Sequence, residues 1–191
     1  MSSLREAAAA LIGTLERLGF RYAIGGSFAS SLHGVARATQ DIDLVVDLPL
    51  PRVRELYSAV AADFYADEET MLDAIRRGRP FNLIHLASGL KFDIFAASAH
   101  PIGREQLSHR LRLATALLGG DPLEVQVVSA EDIVLAKLLW YRDGGEVSER
   151  QWNDLVNLMQ IQRNRLDLEY LRAQAERLGV ATLLNRLADQ R

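Results

Sequence analysis

Apolar residues recur at helical spacing from Leu4 to Leu18, with Leu4, Ala8, Leu11, Leu15 and Leu18 on one face, and Gly19 ends that helix. Phe20 to Ile24 is short and apolar and reads as a first strand. Gly25-Gly26-Ser27 is a turn into a short helix from Phe28 to His33, closed by Gly34. Gln40 to Asp47 alternates polar and apolar positions, the period of a second strand. Pro49 and Pro51 break the chain and start a helix reaching Asp63, and a further helical piece covers Glu68 to Arg77 before Gly78. Phe81 to Leu86 and Lys91 to Phe95 predict a hairpin around Ser88-Gly89, and Leu123 to Val128 predicts another strand after a less regular stretch, His100 to Arg112.

From Ser129 onward the pattern is helical. Ser129 with Asp132, and Ser148 with Gln151, are capping pairs, and Gly144-Gly145 separates the two helices they open. Further helices cover Leu168 to Leu178 and Ala181 to the end. The expected organisation is a mixed-sheet α/β body over residues 1–128 and a C-terminal helical appendage over 129–191.

At 191 residues and 49% apolar, the chain has material for a sizeable core. A net charge of −3 argues against a surface that is basic throughout, though a local basic groove is compatible with it. With no cysteine there is no disulfide, thiolate nucleophile or Cys-based metal site. Met1 to Leu18 carries charges at Arg5, Glu6, Glu16 and Arg17, unlike a signal peptide, and no segment reaches the ~20 apolar residues of a membrane span. The expectation is a soluble cytoplasmic protein with no membrane partner. Basic residues are twenty Arg against two Lys, Lys91 and Lys137, so an ammonium at those two positions carries some weight.

The chemistry begins at Asp41-Ile42-Asp43. On a strand Asp41 and Asp43 share one face, and two adjacent carboxylates repel unless a cation lies between them. Mg²⁺ is the usual cation for hard oxygen ligands. Asp93 sits in the alternating strand Lys91-Phe92-Asp93-Ile94-Phe95, facing away from the core side of Phe92 and Ile94. If the two strands are neighbours, three carboxylates converge, and a pair of metal ions ~3.5–4 Å apart can activate an attacking oxygen and a leaving phosphate. Gly25, Gly26 and Ser27, between a strand and a helix, suit the approach of a phosphate to backbone N–H groups. For any one acid alone, an ordinary half-exposed strand carboxylate is the plain alternative.

This set, Gly25-Gly26-Ser27, Asp41-Ile42-Asp43 and Asp93, resembles the nucleotidyltransferase superfamily with a DNA polymerase beta-like catalytic core. The resemblance implies that Asp41 and Asp43 bind both metals and that Asp93 binds one and helps activate the acceptor hydroxyl. A narrower likeness lies in Ser129-Ala-Glu-Asp-Ile-Val-Leu-Ala-Lys137-Leu-Leu-Trp-Tyr-Arg142-Asp-Gly-Gly, in Ser148-Glu-Arg-Gln-Trp152-Asn-Asp154-Leu, and in Arg37-Ala-Thr39-Gln-Asp41-Ile-Asp43. These resemble the AbiEii-type toxin group, whose members pair with antitoxins and whose MenT relatives add nucleotides to tRNA 3′ ends. The family's later Lys and Asp map onto Lys137 and Asp154.

Lys137 and Asp154 lie symmetrically about the Gly144-Gly145 turn, so in an antiparallel helix pair they reach the same height. Lys137 would reach the triphosphate with Asp154 orienting it; an ordinary interhelical ion pair is the plain alternative. Arg37 and Arg142 are lesser phosphate candidates. Trp140 and Trp152 read as packing residues between helices, His85 as half-buried in its strand, and Arg76, Arg77 and Arg79 as a small basic cluster. Two function classes remain open: a Mg²⁺-dependent transferase moving NMP from an NTP to RNA (a tRNA 3′ end foremost), a protein or a small-molecule hydroxyl such as an antibiotic's, or a non-catalytic nucleotide-binding or antitoxin-like module of the same fold.

Overall fold

The structure, a computed structural model, describes residues 4–35 and 41–190. In chain order the elements are α1 (Leu4–Arg17), β1 (Tyr22–Ile24), α2 (Gly26–Leu32), β2 (Asp41–Val46), α3 (Val53–Val60), β3 (Phe64–Tyr65), α4 (Glu68–Arg76), β4 (Phe81–His85) and β5 (Lys91–Ala96). They continue with α5 (Gly103–Ser108), β6 (Leu111–Thr115), β7 (Leu123–Val127), α6 (Ala130–Asp143), α7 (Glu149–Ile161), α8 (Leu168–Arg177) and α9 (Ala181–Ala188). The strands form one mixed sheet in the order β3-β4-β5-β2-β1-β7-β6.

Two pairings place the site. β2 and β5 run parallel with Asp41 opposite Lys91, Asp43 opposite Asp93 and Val45 opposite Phe95. A parallel pair needs a crossover, and here the segment from α3 through β4 supplies it. β1 lies antiparallel on the other side of β2, so the chain leaving β1 turns into α2 beside Asp43. Alternation then sorts the strands. Ile42, Leu44, Phe92 and Ile94 are buried at 2% exposure or less, while Asp41, Asp43, Lys91 and Asp93 share the other face.

The two capping pairs form as the spacing predicts: Asp132 N–H donates to Ser129 Oγ and Gln151 N–H to Ser148 Oγ. The stretch read as irregular is more ordered than its sequence suggests. It contains α5 and the start of β6, and β6 pairs antiparallel with β7 as the sheet's edge. The two-residue strand β3 adds the opposite edge. His85 is buried at 7% exposure, against the half-buried reading, with its Nδ1 2.8 Å from Ser88 Oγ.

One buried cluster includes Leu11 and Leu15 of α1, the inner strand residues, Val134, Leu135 and Leu138 of α6, and Leu187 of α9. Polar contacts tie the C-terminal helices to α2 and α5 and to one another. Gln162 Nε2 donates to the His33 carbonyl at 2.6 Å, and His33 Nε2 lies 2.8 Å from the Val128 carbonyl. Tyr170 Oη donates to Asp132 Oδ1 at 2.7 Å, and Arg177 pairs with Glu105 at 2.8 Å. Among the described residues no helix is long and apolar enough to cross a membrane.

Candidate active site

Asp41, Asp43 and Asp93 come together on one face of β2 and β5, as their alternation requires. Burial, reinforced by the negative charges of Asp93 and then Asp41, pushes the Asp43 carboxyl up to about 6, with Lys91 and Lys137 pulling the other way. A carboxyl whose neighbours resist its ionisation is a group that wants a cation.

In this structure an ammonium supplies part of that cation. Lys91 Nζ lies 3.1 Å from Asp93 Oδ2 and 3.3 Å from Asp41 Oδ2. Its hydrogen bond to Asp93, with the charge of that group and of Asp41, raises the Lys91 pKa. The all-oxygen donors suit Mg²⁺ in kind. Among the described residues, however, no three acidic or imidazole side chains are already gathered as a metal cluster. Asp41 and Asp93 each turn one carboxylate oxygen, Oδ2, to Lys91 instead.

Gly26 explains the glycine turn. Its φ is +56°, and a Cβ added there would lie 1.6 Å from Asp43 Oδ2. Only glycine lets the first turn of α2 rest against this carboxylate. Gly25 N–H is used within the fold, donating to the Asp43 carbonyl at 2.9 Å. The cradle expected from Gly25, Gly26 and Ser27 therefore narrows to the N–H groups of Gly26 and Ser27, which begin a helix and have no intrahelical acceptor.

Gly25, Gly26, Ser27 and Asp43 line a cavity of about 270 Å³. Its far wall comes from the helical hairpin. Ile133, Ala136, Lys137 and Trp140 follow one another at i, i+3, i+4 and i+7 along α6, and Gln151 and Asp154 lie at i and i+3 on α7. Lys137 Nζ donates to Asp154 Oδ2 at 3.2 Å, each side chain 14% exposed. The equal-height placement read from the Gly144-Gly145 turn is thus observed. The two readings of the pair also coincide, since it is an interhelical ion pair and it faces the same cavity as Asp43. Asp41 and Asp93 lie beside Asp43 on the strand face and do not line the cavity.

Other candidates stand apart. Arg37 lies outside the described residues. Arg142 is committed elsewhere, donating to the Leu178 carbonyl at 2.8 Å and pairing with Asp143 at 2.9 Å. Arg77 pairs with Asp73 at 2.8 Å. Trp152 packs as expected, 9% exposed, with Tyr141 and the Arg186 guanidinium against it. Trp140 does not. It is 50% exposed and lines the cavity. Lys91 is a charged residue that sequence reasoning left without a role; its pairing with Asp41 depends on the β2–β5 register.

Comparison with known proteins identifies the fold and the family. An antigenic nucleotidyltransferase-like protein from Paracoccidioides brasiliensis superposes with a TM-score of 0.64 at 20% identity, over 99% of this chain and 88% of its own. ANT(2″)-Ia in complex with adenylyl-2″-tobramycin superposes with a TM-score of 0.50 at 18% identity, over 87% and 93%. The nucleotidyltransferase toxin MenT4 from Mycobacterium tuberculosis H37Rv aligns with a TM-score of 0.46 at 17% identity, over 88% and 61%. No curated protein matches the sequence. The first two likenesses establish the mixed-sheet nucleotidyltransferase fold. A family model, the nucleotidyl transferase AbiEii toxin of the type IV toxin–antitoxin systems, matches residues 21–187, and the chain belongs to that family of nucleotidyltransferases.

Proposed function

We propose that this nucleotidyltransferase moves NMP from an NTP to the 3′ end of a tRNA, in the cytoplasm, as the toxin of a toxin–antitoxin pair whose antitoxin restrains it. The observation that carries the chemistry is one cavity lined by Asp43, Gly26, Ser27 and the Lys137–Asp154 pair, with Asp93 beside Asp43 on the neighbouring strand. Asp41, Asp43 and Asp93 would hold Mg²⁺, which when bound neutralises phosphate charge and activates the attacking oxygen. The N–H groups of Gly26 and Ser27 would receive phosphate oxygens, and Lys137, released from Asp154 or shared with it, would meet the triphosphate. Asp93 would accept the proton of the acceptor hydroxyl as that oxygen bonds to the α-phosphorus and pyrophosphate leaves. On this reading residues 1–128 carry the carboxylates and cradle, and residues 129–191 carry the wall that closes over them.

The acceptor rests on membership of the AbiEii family, whose MenT relatives add nucleotides to tRNA 3′ ends. The candidates for holding an RNA end are arginines outside the cavity, Arg76, Arg77 and Arg79 and the Arg104 to Arg112 stretch, of which Arg77 pairs with Asp73, Arg110 donates to the Leu107 carbonyl and Arg112 pairs with Glu124. The test is to incubate the protein with each labelled NTP, Mg²⁺ and total cell extract, then identify what carries the label. Label on small RNA, dependent on Mg²⁺ and weakened by added salt, is the expected result. Label confined to protein or to a small molecule would overturn the tRNA acceptor and keep the transfer chemistry.

A further inference from the structure

The face shared by β2 and β5 changes character along its length. Asp43 opposite Asp93 is followed two residues on by Val45 opposite Phe95, a step of about 7 Å. Val45 and Phe95 line the same cavity as Asp43. The cavity therefore has a charged end at the carboxylates and an apolar end beyond them.

Trp140 stands at the apolar end. Its ring meets Phe95 edge-on, centroids 6.3 Å apart and planes at 79°, and stacks against His100 at 6.2 Å and 29°. His100 thus backs the indole while half of the residue remains exposed. Burial lowers the His100 pKa, which keeps the imidazole neutral and suited to a stack. Phe95, His100 and Trp140 also wall a second hollow of about 50 Å³, with Arg79 among its lining residues. The aromatic group is a partition between two openings, not the filling of a core.

Two polar atoms nearby are left over. His100 Nδ1 and Gln106 Oε1 are buried without a hydrogen-bond partner, and both residues line the cavity. Gln106 is 4% exposed, so its amide has little access to bulk water. A buried amide oxygen with no donor carries a desolvation cost that a ligand's N–H removes. A flat, apolar, stackable wall and a buried, unpartnered amide lining the same cavity suit a heterocycle that has π-faces and a hydrogen-bonding rim.

We propose that Trp140, backed by His100 and Phe95, is the wall on which the base of the incoming NTP stacks, and that the Gln106 amide reads the edge of that base. The proposal rests on the reading of this cavity as the triphosphate site. It adds the residues that hold and select the nucleoside, one wall-step away from the carboxylates.

The test follows tryptophan emission and calorimetric affinity, with Mg²⁺ and no acceptor, as ATP, GTP, CTP, UTP, adenosine, cytidine or tripolyphosphate is added. At least one NTP quenches the wild type, and the quench is absent in Trp140→Phe, which retains Trp152. Affinity for that NTP falls about tenfold in Trp140→Ala, the scale of one lost base stack, while tripolyphosphate binds both proteins equally. Trp140 is half exposed, so the variants should fold, and their melts confirm it. Gln106→Leu narrows the spread of affinities among the four triphosphates; an unchanged spread would remove Gln106 from the base edge. NTP affinity unaltered by Trp140→Ala would overturn the stacking wall and leave the triphosphate site standing. Quenching by a nucleoside with no binding of tripolyphosphate would do the reverse. Quenching only by an RNA 3′ end would overturn the assignment to the NTP.

Discussion

Replacing Asp43 by Asn should stabilise the metal-free protein at neutral and alkaline pH while abolishing transfer. The Asp43 carboxyl is raised from an ordinary 3.8 to about 6 by burial and by Asp93 and Asp41. Below 3.8 the group is protonated in both the folded and unfolded chain and contributes no difference. Between 3.8 and 6 the unfolded chain ionises while the folded one keeps its proton, so the folded state binds more protons and stability falls as pH rises. Above 6 both forms are ionised and the penalty is complete. A shift of about two units corresponds to about 3 kcal/mol. That is a ceiling, because the amide of Asn must still be buried beside Gly26.

For a protein of this size each kcal/mol moves the melting temperature by roughly 2–4 °C. Without metal, Asp43→Asn should therefore melt up to roughly 6–12 °C above wild type at pH 8, and the two should converge near pH 4. The assay is thermal or urea unfolding from pH 4 to 8, read as the difference between the two proteins so that other titrating groups cancel. Mg²⁺ at 1,000 times its Kd should reverse the order, since a ligand at that excess adds about 4.1 kcal/mol to the protein that binds it. A mutant less stable than wild type at pH 8 without metal, or a difference that does not change between pH 4 and 7, would refute the electrostatic argument. Wild-type transfer by the mutant would refute the metal assignment.

Lys91→Met should lower the stability of the metal-free protein, because Asp41 and Asp93 lose the ammonium between them, and should tighten Mn²⁺ binding severalfold in calorimetry without nucleotide; weaker Mn²⁺ binding would mean that Lys91 assists the metal instead of competing with it. Lys137→Met should lower NTP affinity or turnover at least tenfold, the scale of one charge-assisted phosphate contact at ~1.5–3 kcal/mol, and should cost stability by removing the Lys137–Asp154 pair. The double variant Lys137→Met/Asp154→Asn should regain the stability and not the turnover; kinetics that recover together with stability would reduce the pair to a structural ion pair.

What could be read from the chain follows from what periodicity encodes. A two-residue period assigns Asp41, Asp43 and Asp93 to the solvent faces of their strands, and a helical period with Ser129 and Ser148 caps locates α6 and α7. Both are properties of one segment at a time. Lys91 went unassigned because its meaning is partly relational: the two-residue period puts it beside Asp93, but only the parallel β2–β5 register sets it opposite Asp41 as well. β6 was unreadable for another reason. It is an edge strand with Leu111, Arg112 and Ala114 exposed, held to the sheet through β7 alone, so burial leaves no clean alternation in its sequence. Trp140 shows the limit in a helix. α6 is apolar around most of its circumference, with Ile133, Val134, Leu138 and Tyr141 buried, and nothing in that pattern marks the neighbour of Tyr141 as the residue left half in solvent. The exposure is set by Phe95 and His100, which meet the indole from a different part of the chain and leave it facing the cavity beyond Val45. Residues that lie on regular elements were therefore identifiable singly, whereas the counter-ion of the carboxylates and the wall of the base pocket become visible only once the strands and helices are placed against one another.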